Sequence, residues 1–124
     1  MHAKRVLVAD DSLLMREQIR KYLAPDWHFE ICAEAVDGFD AVQKTRQCHP
    51  DLAVLDFVMP GMNGLEATRE IKRIMPKLPV VLFALDDSPE LESESKRAGV
   101  DAVLPKSAGC KKLTRVMLSL LHED

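Results

Sequence analysis

Continuous apolar runs of strand length constrain this chain more than any other feature. They are Arg5 to Ala9 (RVLVA), Leu52 to Leu55 (LAVL), Val80 to Leu85 (VVLFAL) and Ala102 to Leu104 (AVL). A strand with one face in water alternates apolar and polar residues, whereas a strand covered on both faces reads as an unbroken apolar run. The four runs are therefore expected as inner strands of a parallel sheet. Trp27 to Ala33 reads differently, because Phe29, Ile31 and Ala33 alternate with Glu30 and Cys32. That pattern predicts an edge strand with one less-covered face.

Helical periodicity fills the intervals. Met15, Ile19, Tyr22 and Leu23 outline a first helix, and Gly38, Ala41, Val42 and Thr45 a second. Leu65, Thr68, Ile71 and Met75 outline a third that stops at Pro76, and Leu113, Val116, Met117, Leu120 and Leu121 a last one that closes the domain. Between Ser88 and Ala98 only Leu91 and Ala98 are apolar anchors, and Pro89 suits a first helical turn, so a loosely held helix is expected there. Five strand and helix pairs joined by short connections call for an α/β fold, (βα)5, in three layers with right-handed crossovers. The 124 residues leave room for one domain, taken as 1–124.

Composition excludes several functions. The net charge of −3 comes from 20 acidic and 17 basic residues interspersed along the chain, so no basic block is present to track a nucleic-acid backbone. Cys32, Cys48 and Cys110 are odd in number and lack the close paired spacing of a zinc site, which points to thiols in a reducing compartment. The first residues, Met1 to Arg5, lead into an apolar run too short for a secretion signal, and no run approaches the length of a membrane span. A cytoplasmic protein with no membrane contact is expected.

In a parallel α/β sheet, ligands gather at the carboxyl ends of the strands. Strand one ends in Asp10 and Asp11, strand three in Asp56, and strand five is followed at once by Lys106. Carboxylates brought together without a cation repel and take up protons. A divalent cation relieves that cost, and Mg²⁺ suits hard oxygen ligands that share their sphere with water and a phosphate. An aspartate is also a competent nucleophile for phosphoryl transfer when its surroundings neutralise the phosphoryl oxygens, for which Lys106 supplies a charge. Each residue has an ordinary reading too: Asp11 and Ser12 could cap the first helix, Asp56 could be a strand-end acid before a turn, and Lys106 a solvated lysine. Their joint placement on one rim favours a site.

Val6 to Ser12 (VLVADDS), Asp56 to Gly64 (DFVMPGMNG) and Ala98 to Lys106 (AGVDAVLPK) resemble the three signature blocks of response regulator receiver domains of two-component systems. The similarity runs from Arg5 to about Leu121, and it is most specific in the middle block. It implies a flavodoxin-like sheet of order 2-1-3-4-5, an arrangement also given for a chemotaxis receiver. It further implies that Asp56 accepts a phosphoryl group from a sensor histidine kinase or a small phosphodonor such as acetyl phosphate. Asp11, Asp56 and the backbone carbonyl of Val58 would ligate Mg²⁺, Asp10 would act through water, and Lys106 would pair with the phosphoryl oxygens. Pro60 and Gly61 fit a tight turn, and Gly64 a close approach at the start of the third helix. The implied chain is no enzyme beyond accepting the phosphoryl group and slowly hydrolysing it. An output domain or partner protein would receive the signal, with a homodimer left open; similar receivers often precede a helix-turn-helix domain that regulates transcription.

Two positions depart from the family pattern. The hydroxyl residue that normally ends strand four is Ala84, and the aromatic switch residue three positions before the lysine is Val103. Pro105 also precedes the lysine, where a proline more commonly follows it, and should hold Leu104 extended. A phosphatase of the haloacid dehalogenase type would need an acid where Val58 stands, and a flavodoxin-like cofactor site would not place Asp10 and Asp11 where an anion must sit. The stronger alternative is a pseudo-receiver that docks proteins without being phosphorylated.

Overall fold

The computed structural model describes residues 2–121, so the expected domain limits at 1 and 124 lie outside the described residues. Strands β1 (Lys4–Ala9), β2 (Phe29–Ala35), β3 (Leu52–Leu55), β4 (Val80–Ala84) and β5 (Ala102–Pro105) alternate with helices α1 (Leu13–Leu23), α2 (Gly38–Cys48), α3 (Gly64–Ile74), α4 (Pro89–Ala98) and α5 (Gly109–Leu121). All strand pairings are parallel, in the order β2-β1-β3-β4-β5. This is the flavodoxin-like (βα)5 arrangement, and it places the reversal of strand order beside β1 and β3.

The continuous apolar runs divide their side chains between two cores. Leu7, Ala9, Ala53, Leu55, Leu82 and Ala84 point to the side covered by α2, α3 and α4. Val6, Val8, Leu52, Val54, Val81 and Phe83 point to the side covered by α1 and α5, where Ile19, Leu23, Leu113 and Met117 meet them. Burial on both faces is why no polar residue interrupts these strands.

Three expectations need correction. First, β5 is an edge strand, as the order 2-1-3-4-5 requires, and not the inner strand its apolar run suggests: it pairs only with β4, and Leu104 is its sole buried residue. Its apolar run reflects cover by helices on both faces, which does not require a strand neighbour on both sides. Second, Tyr22 is 45% exposed, leaving Ile19 and Leu23 as the buried residues of α1. Third, β2 begins later than Trp27, and its apolar residues do not share one face. The register slips at Cys32, so Val6 pairs with Ile31 but Leu7 with Ala33. Phe29 and Ile31 join the α1/α5 core, while Ala33 and Ala35 face the α2 side. One extra residue in a strand reverses the facing of all that follow.

Local chemistry explains the helix ends. Ser12 caps α1 by accepting from Met15 N at 3.2 Å. Asn63 and Glu66 form a reciprocal capping box at α3, and Ser88 with Pro89 starts α4. Gly99, at φ 102°, ends α4 in the left-handed region that glycine adopts without strain. The sparse segment before Gly99 is thus a defined helix, seated by Ala98 and by the fully buried Ser95, with Leu91 packed against the core.

Candidate functional site

The carboxyl ends of β1 and β3 bring the acids together because the two strands are neighbours in register, Ala9 opposite Leu55. The residues immediately beyond them are Asp10 and Asp56. One carboxylate oxygen from each of Asp10, Asp11 and Asp56 lies within 4.8 Å of the others. Asp10 and Asp56 are 2% and 7% exposed, whereas Asp11 stands open to solvent. At α1 the two ordinary readings separate: Ser12 is the cap, and Asp11 is left facing the rim.

Lys106 reaches this cluster from the end of β5, at the start of a single 3-10 turn, Lys106–Ala108. Its Nζ lies 2.8 Å from Asp10 Oδ2 and 3.3 Å from Asp56 Oδ2. The other oxygens are held by backbone, since Asp10 Oδ1 accepts from Ser12 N at 2.9 Å and Asp56 Oδ1 from Phe57 N at 2.8 Å. Burial, reinforced by the charge of Asp10, raises the pKa of Asp56 above the ordinary carboxylate value, and Lys106 offsets only part of that. Burial alone would lower the Lys106 ammonium, but its bonds to Asp10 and Asp56 outweigh it and hold the pKa above the usual lysine value. The site therefore carries one ammonium among three acids, a surplus of negative charge that a divalent cation would neutralise. The all-oxygen donor set fits Mg²⁺ or a similarly hard cation.

The turn after β3 is shaped by glycine. A Cβ on Gly64 would stand 2.2 Å from the carbonyl oxygen of Asp56, so α3 can begin this close to the acid only with hydrogen at that position. Gly64 N donates to Phe57 O at 2.8 Å, and Gly61, at φ 74°, turns the chain between them. Val58 lies in this same connection with its side chain exposed.

Ala84 closes β4 opposite Pro105, and Val103 pairs with Leu82 one strand away. Both pack on the side of the sheet that α4 covers. Neither nearby serine replaces the missing hydroxyl: Ser88 Oγ is engaged by Leu91 N at 3.0 Å, and Ser107 is exposed in the 3-10 turn. Sequence reading missed Arg16 and Glu34, whose side chains lie behind the acidic rim. A signal for Arg16 was available, since a basic residue in the first turns of a helix opposes the helix dipole and needs another reason to be there.

The chain is thus an α/β protein whose doubly covered parallel sheet gathers three acids at its switch point beside a lysine from the last strand. The response regulator receiver domain family matches residues 6–117, and the chain belongs to that family. It is 36% identical over 104 residues to the chemotaxis protein CheY of Halobacterium salinarum, covering 84% of this chain and 85% of that protein. It is 32% identical over 113 residues to the response regulator GacA of Pseudomonas viridiflava, covering 91% of this chain and 53% of that one. A protein-glutamate methylesterase/protein-glutamine glutaminase of Pyrococcus abyssi is 42% identical over 80 residues, 64% of this chain and 22% of its own length. The chain thus spans between about a fifth and about half of the methylesterase and GacA relatives it matches. Among solved structures, the receiver domain of the putative response regulator NarL from Mycobacterium tuberculosis superposes with a TM-score of 0.92 at 26% identity, covering 98% of both chains. Among the described residues, no helix is long and apolar enough to cross a membrane.

Proposed function

We propose that this receiver accepts a phosphoryl group on Asp56 in a Mg²⁺-dependent reaction, with a sensor histidine kinase as the physiological donor. The observation that carries this reading is the bridge made by Lys106 between Asp10 and Asp56 at the rim. An oxygen of Asp56 attacks phosphorus, the bond from phosphorus to the donor breaks, and the electron pair leaves with the donor's imidazole or, for acetyl phosphate, with acetate. Asp11, Asp56 and the Val58 carbonyl would hold the cation and Asp10 would engage it through water. When bound, Mg²⁺ supplies charge neutralisation for the phosphoryl oxygens and the carboxylates. Lys106, already aimed at Asp56, supplies the second positive charge once its bond to Asp10 loosens.

Burial and the charge of Asp10 raise the pKa of Asp56, and only the ionised carboxylate attacks, so phosphorylation is expected to slow as pH falls through that raised value. Within residues 1–124 we assign one signalling domain with no catalytic activity beyond its own phosphorylation and slow dephosphorylation. It would act in the cytoplasm and pass its state to an output domain or partner protein, with transcriptional control as the favoured output. Docking without phosphorylation would make no use of the Lys106 bridge to Asp10 and Asp56, and this favours the acceptor reading over it.

Incubation with acetyl phosphate and Mg²⁺, followed by intact mass, tests the reading. One phosphoryl adduct is expected on the wild type and none on Asp56→Asn, while Asp11→Asn should remove most of the Mg²⁺ affinity. Equal labelling of wild type and Asp56→Asn would place the acceptor elsewhere.

A further inference from the structure

The two metal-ligand candidates of the first loop, Asp10 and Asp11, sit where β1 has run out of sheet. Ala9 O still receives a sheet-type bond from Asp56 N at 2.9 Å, and Asp10 N still donates to Ala35 O at 3.0 Å. The carbonyl of Asp10 lies past this ladder. It is taken instead by a side chain, with Arg16 Nη1 donating to it at 2.6 Å. Arg16 is only 11% exposed, and its Nε donates to Glu34 Oε1 at 3.1 Å.

Glu34 is in turn fixed from three directions. Arg20 donates to both of its carboxylate oxygens, at 2.7 and 2.8 Å, and Lys44 Nζ donates to its main-chain carbonyl at 2.9 Å. The bonds from Arg20, the largest cause, and from Arg16 hold the Glu34 carboxyl below its usual pKa against the opposing effect of burial. Glu34 faces α1 only because of the bulge at Cys32. Without the extra residue it would stand on the α2 side of the sheet, out of reach of both arginines.

We propose that Arg16 is a positioning residue for the cation site: oriented by Glu34, it clamps the Asp10 carbonyl and so fixes the peptide between Asp10 and Asp11. This rests on the Mg²⁺ reading above. A partly hydrated cation demands near-octahedral placement of the few protein oxygens it uses, so freedom in that peptide costs affinity. A guanidinium suits the task because its fork can serve a carbonyl and a carboxylate at once, which an ammonium on a flexible stem does less well.

The proposal can be told from a general charge effect by the sign of one measurement. Arg16 is a cation close to a cation site, so a purely electrostatic role predicts tighter Mg²⁺ binding when it is removed. A clamp predicts weaker binding. Mg²⁺ affinity measured by amide chemical-shift titration should fall by about 10-fold in Arg16→Ala, in line with the effect of removing groups that orient metal ligands. Arg16→Lys, which keeps the charge and one donor, should recover part of the loss and guards against misfolding of the alanine variant. Arg20→Ala breaks two bonds to Glu34 but does not touch the Asp10 carbonyl, so it should change affinity less than about 2-fold even if it lowers the melting temperature as much. Unchanged or tighter binding in a folded Arg16→Ala, or an equal loss in Arg20→Ala, overturns the clamp alone. Failure of the wild type to bind Mg²⁺ at all overturns the metal reading and the clamp with it.

Discussion

The rim at β1 and β3 and the face formed by α4 and β5 belong to one sheet, yet they are built to different standards. At the rim, Asp10, Asp56 and Lys106 are each held by two or more named contacts, and glycine at position 64 lets α3 close against the acid. At the α4 face, the two switch positions that the family resemblance implies carry Ala84 and Val103, and the buried hydroxyl of Ser95 has no hydrogen-bond partner among the described residues. Assembly of the acceptor and coupling of that acceptor to a distant surface are separate properties, because the first needs charges at a point and the second needs a group whose energy differs between two states. This chain brings Asp10, Asp11, Asp56 and Lys106 together for the first, and carries alanine and valine at the two positions that the family resemblance assigns to the second.

The comparison breaks first at Lys106. If the rim is a working acceptor, Lys106→Ala should slow phosphorylation by acetyl phosphate about 100-fold, measured by the rate of adduct formation, because it removes one preorganised transition-state charge while leaving the nucleophile. An unaltered rate would mean that the bridge between Asp10 and Asp56 is structural only.

The α4 face is sharpened by restoring what it lacks. A hydroxyl bonded to a charged phosphoryl oxygen is worth about 1.5–3 kcal/mol, or roughly a 10- to 150-fold shift between two states. Beryllofluoride with Mg²⁺ should therefore move the amide shifts of the wild type mainly in the loops bearing Asp10, Asp56 and Lys106. Ala84→Thr should extend the changes into α4, and adding Val103→Tyr should extend them further. Large cooperative shifts across Glu90 to Leu121 in the unmodified chain would reveal a route that uses neither residue.

Stability gives a third contrast. The pKa of Asp56 is raised in the folded state, so the stability tied to its protonated form is fully present below the ordinary carboxylate value and is lost as pH rises through the raised value. Asp56→Asn is accordingly expected to be more stable than the wild type at neutral pH without Mg²⁺, with the advantage vanishing in acid. Mg²⁺ at ten times its dissociation constant should stabilise the wild type by about 1.4 kcal/mol and leave the variant less affected. Denaturant melts at several pH values check both signs. At the α4 face, Ser95→Ala removes a buried hydroxyl that has no partner among the described residues and should stabilise the fold by about 1 kcal/mol by the same method. A loss of stability there would mean that the hydroxyl has a partner after all.

Sequence alone determined the fold class and the gathering of Asp10, Asp11 and Asp56 on one rim. Unbroken runs such as Leu52 to Leu55 permit little except a doubly covered strand, and acids placed one residue beyond such runs must emerge at one edge of the sheet. Ala84 and Val103 were legible as departures for the same reason, being counted from strand ends. Tertiary structure decided what depends on registration between elements far apart in sequence. The slip at Cys32 is invisible in the alternation of Phe29, Ile31 and Ala33, because a bulge is set by pairing with β1 and not by local composition. The apolar run of Ala102 to Leu104 does not by itself say whether it lies inside or at the edge, since helices cover an edge strand as well as an inner one; only the strand order, implied by the family resemblance and seen in the fold, places it at the edge. Arg16 and Glu34 meet for the same reason: 18 residues separate them in the chain, and only the bulged pairing of β2 with β1 turns Glu34 toward the helix that carries Arg16.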